Sequence, residues 1–207
     1  ILMTFVTGAF AFWGPTYFHR MRGLELDQAN YYFGIATLLA GITGTLFGGW
    51  IADRLQKRFK AAYFLVSGVG MLLSVPAIVA VLMVDSPQLY WVCVFLAEFF
   101  LFLNTGPANA IILNVTMPNM RAGAFAINIF LIHALGDVIS PYMVGAVSDA
   151  TNLRFALVTI MPLVGVASGI AYLWGMRYLV SDMESAVQRI KSAPKGNEQW
   201  QRGSGSG

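Results

Sequence analysis

Twice in this sequence a stretch long enough to cross a bilayer carries groups that lipid cannot solvate. Leu89 to Val115 reads LYWVCVFLAEFFLFLNTGPANAIILNV, and Ala122 to Ala146 reads AGAFAINIFLIHALGDVISPYMVGA. Each exceeds the roughly 20 residues that one helical crossing needs. Between them they hold Glu98, Asn104, Asn109, Asn114, Asn128, His133 and Asp137. An ionisable side chain in hydrocarbon costs about 2.5–3.5 kcal/mol on insertion scales, so such groups face a bundle interior, a partner or a water-filled path. A backbone in lipid must satisfy its own polar groups, which leaves helices or a closed barrel. Six long apolar runs without period-two alternation select helices and an all-α membrane protein. The composition agrees: 57% of residues are hydrophobic and 11% charged, against about 25% charged in soluble domains.

The spans are expected at about 1–18, 31–52, 61–84, 89–115, 122–146 and 154–178, making residues 1–180 one six-helix bundle. Ser181 and Glu184 have capping-box spacing. Met183, Val187 and Ile190 then fall on one face, so 181–202 reads as an amphipathic surface tail. The stretch GSGSG at 203–207 reads as an appended linker. The chain opens at Ile1 inside an apolar run, and a piece of a longer protein is expected. Basic residues divide ten against three between alternate loops: Arg54, Lys57, Arg58, Lys60, Arg121, Arg177, Arg189, Lys191, Lys195 and Arg202 against Arg20, Arg22 and Arg154. The positive-inside rule puts the richer side, and with it both termini, in the cytoplasm. Such a chain is expected in the cell membrane, the inner membrane if bacterial. The single cysteine, Cys93, gives no disulfide framework. Gly41, Gly44 and Gly48 share one face of the second helix, at a spacing that lets a neighbouring backbone approach.

Glu98 is the strongest candidate for a functional group. A carboxyl group shielded from lipid can take and release a proton as a cavity opens to either side; a structural hydrogen bond is the bland alternative. His133 and Asp137 stand one turn apart on one face, so the carboxylate can orient the imidazole, or the two simply brace the helix. Asn128 is a candidate ligand contact; Asn109, grouped with the substrate-binding or proton-coupling candidates, and Asn104 serve either gating or helix–helix hydrogen bonding. Phe99, Phe102 and the first-helix aromatics, Phe12 among them, can wall an apolar ligand tail or pack. Gly106 and Pro107 interrupt the fourth span, leaving carbonyls for a ligand or for a neighbouring helix. The patterns H-E-x-x-H and G-x-S-x-G are absent, so no enzyme activity, metal site or cofactor is expected. No nucleic-acid partner is expected either. A channel would need rings of like residues, which the sequence does not suggest.

GGWIADRLQKRFK, Gly48 to Lys60, lies between two spans and resembles the G-x-L-A-D-R-x-G-R-K signature of the major facilitator superfamily. The match runs through Gly49, Asp53, Arg54, Lys57 and Arg58; Ile51 and Gln56 stand where the pattern has Leu and Gly. The resemblance implies a cytoplasmic charge latch, with Arg121 expected to serve it. Residues Gly106 to Asp149 closely resemble the spinster family within that superfamily, through Gly106-Pro107-Ala108-Asn109, Asn114-Val115-Thr116, Arg121, Asn128 and the run Ile132 to Asp137 followed by Ser140-Pro141. It places the chain as helices seven to twelve, so the N-terminal six-helix half is an expected partner. The implied activity is secondary active transport of an amphipathic lipid, such as a lysophospholipid or sphingosine-1-phosphate, with protons as the expected coupling ion. It also implies that Glu98 and His133 occupy the places of a helix-ten acid and a helix-eleven histidine along the cavity. Export of a drug or organic anion is the alternative.

Overall fold

In the computed structural model, residues 1–192 are described. They form six rods: α1 (Leu2–Arg22), α2 (Leu26–Gln56), α3 (Ala62–Met83), a broken fourth rod of α4 (Pro87–Phe102) and α5 (Thr105–Val115), a fifth of α6 (Arg121–Ile132) and α7 (Ile139–Ala150), and α8 (Leu153–Ser192). No strand occurs among the described residues. Five rods are long and apolar enough to cross a membrane; α1 has the length but is less apolar. It is sheltered by its neighbours instead, with Phe10, Tyr17 and Phe18 buried in the common core beside Phe33, Met71, Leu82 and Leu157.

Connections are shorter than the apolar runs suggest. The polar stretch 19–30, expected as a loop, is helical except at Gly23–Glu25. Gly23 adopts φ 70°, and its N–H bonds Phe18 O to close α1. Such a left-handed C-cap is cheap for glycine. The end of α8 continues without a break past 180, so the expected tail begins on the same rod as the last span. The expected amphipathic face at Met183, Val187 and Ile190 rests partly on side chains outside the described set, and residues 193–207 lie outside it altogether.

Alternating rods bring like ends together. At one end Arg22 pairs with Asp85 and also donates to Val84 O, closing the exposed carbonyl end of α3. Tyr17 Oη donates to Leu82 O at 2.9 Å from the same direction. At the other end Lys60 meets Glu184 at 2.9 Å, tying the α2–α3 loop to α8. The start of α8 is capped by Asn152, whose Oδ1 accepts the Phe155 N–H at 2.8 Å. Asn152→Ala is expected to cost about 1 kcal/mol, read as earlier thermal unfolding of the purified protein.

The glycine face of α2 packs on the fourth rod. A Cβ at Gly44 would stand 2.5 Å from Phe99 O, and one at Gly48 would overlap the Leu103 carbonyl. Pro107 has no N–H to offer Leu103 O. The carbonyl freed by the break is therefore covered by α2 backbone, the neighbouring-helix outcome.

Candidate functional site

Polar side chains in the membrane-spanning rods gather in two settings. The first is Glu98. The buried stripe of α4 is Tyr90, Val94, Ala97, Glu98 and Leu101, one helical face, so the carboxylate points inward with the core. Glu98 is 1% exposed. Thr37 Oγ1 of α2 donates to its Oε1 at 3.3 Å. Oε2 has no hydrogen-bond partner, and no cation pairs with the group among the described residues. One oxygen is therefore anchored to α2 and the other left for a proton or a donor from outside the chain. One turn beyond the same stripe, Asn104 is buried, with Nδ2 on Leu101 O and Oδ1 unpartnered.

The second setting is the joint between α6 and α7. His133 to Asp137 form a π-turn, closed by the Val138 N–H on His133 O at 3.0 Å. Single π-turns inside helices recur at functional sites. The sequence supplies its cause one turn later. Pro141 cannot donate to Asp137 O, and Ser140 Oγ takes that carbonyl at 3.3 Å. Gly136 lies against α1, where a Cβ would come within 3.0 Å of Ile1 O and of Thr4 Cβ. The widened turn presents His133 Nδ1 to Asp137 Oδ2 at 2.5 Å. The imidazole is 59% exposed and the carboxylate 32%, so the pair faces out of this chain, held from behind by Gly8 of α1. Trp13 of α1 braces the joint, its Nε1–H on Pro141 O at 3.0 Å.

Glu98 and the His133–Asp137 pair share no hydrogen bond or ion pair among the described residues. The aromatic candidates do not form one wall. Phe102 covers Gly41 and Gly44, whereas Phe99 stacks with Phe95 and meets Phe47 at 5.8 Å. Phe12 is exposed beside Trp13. Asn109 is exposed on α5, and Asn128 is half-buried on α6.

At the basic end, Gly49 meets the break in the fourth rod: a Cβ at Gly106 would stand 3.2 Å from Gly49 Cα. Asp53 accepts from Tyr63 Oη at 2.9 Å, clamping α2 to α3 across the loop. Arg54 lies 5.8 Å from the Trp50 ring centroid, and Lys57 and Arg58 are exposed. Arg121 is half-buried with its Nε unpartnered and makes no ion pair with Asp53 among the described residues.

Sequence reasoning missed Thr37, Tyr63 and the π-turn. A signal for Thr37 existed: positions 37, 41, 44 and 48 share a face, so the glycine stripe that receives the fourth rod extends to a hydroxyl level with Glu98. Tyr63 left no comparable signal, because its bond to Asp53 depends on how tightly the loop turns.

The family model of the Major Facilitator Superfamily matches residues 1–141. Protein spinster homolog 3 of Danio rerio is 34% identical over 210 residues, covering 89% of this chain and 42% of that protein. A sphingosine-1-phosphate transporter of Mus musculus is 28% identical over 214 residues, covering 91% and 39%. A crystal structure of a bacterial homologue of the human lysosomal transporter Spinster, inward-facing and unoccupied, superposes with a TM-score of 0.68 at 16% identity, covering 90% of this chain and 46% of that one. At that identity the likeness shows the fold alone. The chain spans less than half the length of these relatives.

Proposed function

The chain belongs to the Major Facilitator Superfamily, in its spinster family, and from that premise we propose that it is the C-terminal six-helix half of a proton-coupled lipid transporter working by alternating access. The observation that carries the reading is the fifth rod. Only 6% of its most apolar stretch is buried within the chain, against 50% for α3, yet it holds Asn128, His133 and Asp137. Ionisable groups do not face lipid without a partner. A cavity closed by an N-terminal half gives them water and substrate instead.

In that cavity, with the imidazole proton held on Nδ1 by Asp137, His133 Nε2 is left to bind a lipid headgroup. Protonated, the ring binds a phosphate as a cation. Asn128 and Asn109 add polar contacts, and Phe12 and Phe102 offer apolar surface to the tail. Glu98 carries the proton: its free Oε2 accepts one when the cavity opens to the acidic side and gives it up on the other. Gly49, Asp53, Arg54, Lys57, Arg58 and Arg121 form the gate at the cytoplasmic end, where both termini lie. The substrate is an amphipathic lysolipid, in line with what the mouse relative's name states of that protein.

Uptake of a fluorescent lysophospholipid into proteoliposomes of the full-length transporter tests the reading. Lipid movement that accelerates when a proton gradient is imposed is the expected result. Movement of an organic-anion dye with none of the lysolipid would replace the lipid reading with drug or anion export.

A further inference from the structure

Two cavities at the basic end share a wall at Leu55, and the transport cycle proposed above does not use them together. The first, about 420 Å³, is lined by Arg54, Leu55, Lys57 and Arg58. The second, about 300 Å³, is an apolar groove between α2 and α3 with α4 as its floor. Phe47, Ile51 and Leu55 line it from α2, Val69 and Leu73 from α3, and Phe99 from α4. Along α3 it reaches from Leu65 to Leu73, about 12 Å at 1.5 Å per residue. It starts one residue from the end of α2 and runs inward along the helices. That depth approaches one leaflet, half of a hydrocarbon core about 30 Å thick.

Among the described residues, cations outnumber carboxylates at its mouth. Asp53, the nearest carboxylate in sequence, accepts from Tyr63 and makes no ion pair with the three cations among the described residues, and Glu184 is engaged by Lys60. Arg54, Lys57 and Arg58 have no ion-pair partner among the described residues. An apolar slot ending in three cations without an ion-pair partner among the described residues matches one amphiphile: an acyl chain under a phosphate, with net negative charge. Zwitterionic lipid fits the slot equally well but not the cations.

We propose that this groove and the basic cavity beside it form a binding site for an anionic phospholipid of the adjoining leaflet, with one acyl chain along α3 and the phosphate on Arg54, Lys57 and Arg58. The site is separate from the cavity facing the fifth rod. Its occupant is a bilayer component held against the α2–α3 loop, not cargo. A basic residue near an anionic lipid is worth about fivefold in binding.

Native mass spectrometry of the full-length transporter, equilibrated in nanodiscs with equal phosphatidylglycerol and phosphatidylcholine, tests the proposal without measuring transport. Retention favouring phosphatidylglycerol by about tenfold or more is expected from three cations. The combined Arg54→Gln, Lys57→Gln and Arg58→Gln variant, all at exposed positions, is expected to bring that ratio near one. Val69→Trp fills the groove from an exposed position and is expected to reduce retention of both lipids. Equal retention of the two lipids by the unmodified protein overturns the proposal. So does a preference that survives the triple substitution, or retention that Val69→Trp leaves unchanged.

Discussion

Glu98→Gln is expected to abolish the acceleration of lipid movement by a proton gradient while leaving the protein folded. Gln keeps the volume and a carbonyl oxygen for Thr37, so the 3.3 Å anchor to α2 survives. The change in stability is expected within about 1 kcal/mol, the worth of one ordinary hydrogen bond. What Gln lacks is a titratable oxygen at the place where Oε2 now stands unpartnered. Exchange of lipid without a gradient, which requires no net proton movement, is expected to persist. Glu98→Ala is a poorer probe: emptying a fully buried site costs about 2–5 kcal/mol for side chains of similar size, and it leaves the Thr37 hydroxyl without its acceptor. Uptake and thermal unfolding measured on the same preparations separate the two effects. A Gln variant that still responds to the gradient as the unmodified protein does would move the coupling proton elsewhere, with His133 next to test.

What the amino-acid sequence makes legible follows from how few choices lipid leaves a backbone. Helices, their order and the inward aim of Glu98 all come from apolar length and spacing. Helix ends do not. Hydropathy marks where hydrocarbon stops, whereas α1 and α2 continue into water, with Arg20 and Arg22 in the last turn of one and Asp27 in the first turn of the other. Those charges suit the helix dipoles, so the polar stretch that looked like a loop is mostly helix. The His133–Asp137 pairing was legible from its spacing of four. The π-turn that carries it was not, because it depends on Pro141, on Ser140 and on the pressure of α1 against Gly136 together. The bond of Asp53 to Tyr63 was not legible either, because partners across a loop are specified by no local pattern.

Gly48→Ala is expected to be the most damaging single-methyl change in the chain, and Gly34→Ala the control that shows why. At Gly34 an added Cβ meets nothing within 4 Å. Exchanging Gly for Ala in a helix then favours folding by about 0.5–1 kcal/mol. At Gly48 the same propensity gain is present, but the methyl overlaps the Leu103 carbonyl, with Leu103 Cα only 3.0 Å away. Those atoms are backbone at the end of a broken helix, so no side chain can rotate aside. Either α2 backs away from the fourth rod or the break at Leu103–Asn104 reshapes. Overpacking of this kind costs about 1–3 kcal/mol, and rigid neighbours put the expected value at the upper end. Backing away would also loosen the contact of Gly49 with Gly106 one step further along α2, where Asp53 and Arg54 follow. Loss of transport is therefore expected to accompany the loss of stability. Thermal unfolding of both variants in detergent decides the matter. Gly34→Ala melting at or above the unmodified protein, with Gly48→Ala well below it, is the expected pattern. Equal melting of the two would mean that α2 does not lie against the Leu103 carbonyl, and that the carbonyl freed by Pro107 is open to a ligand after all.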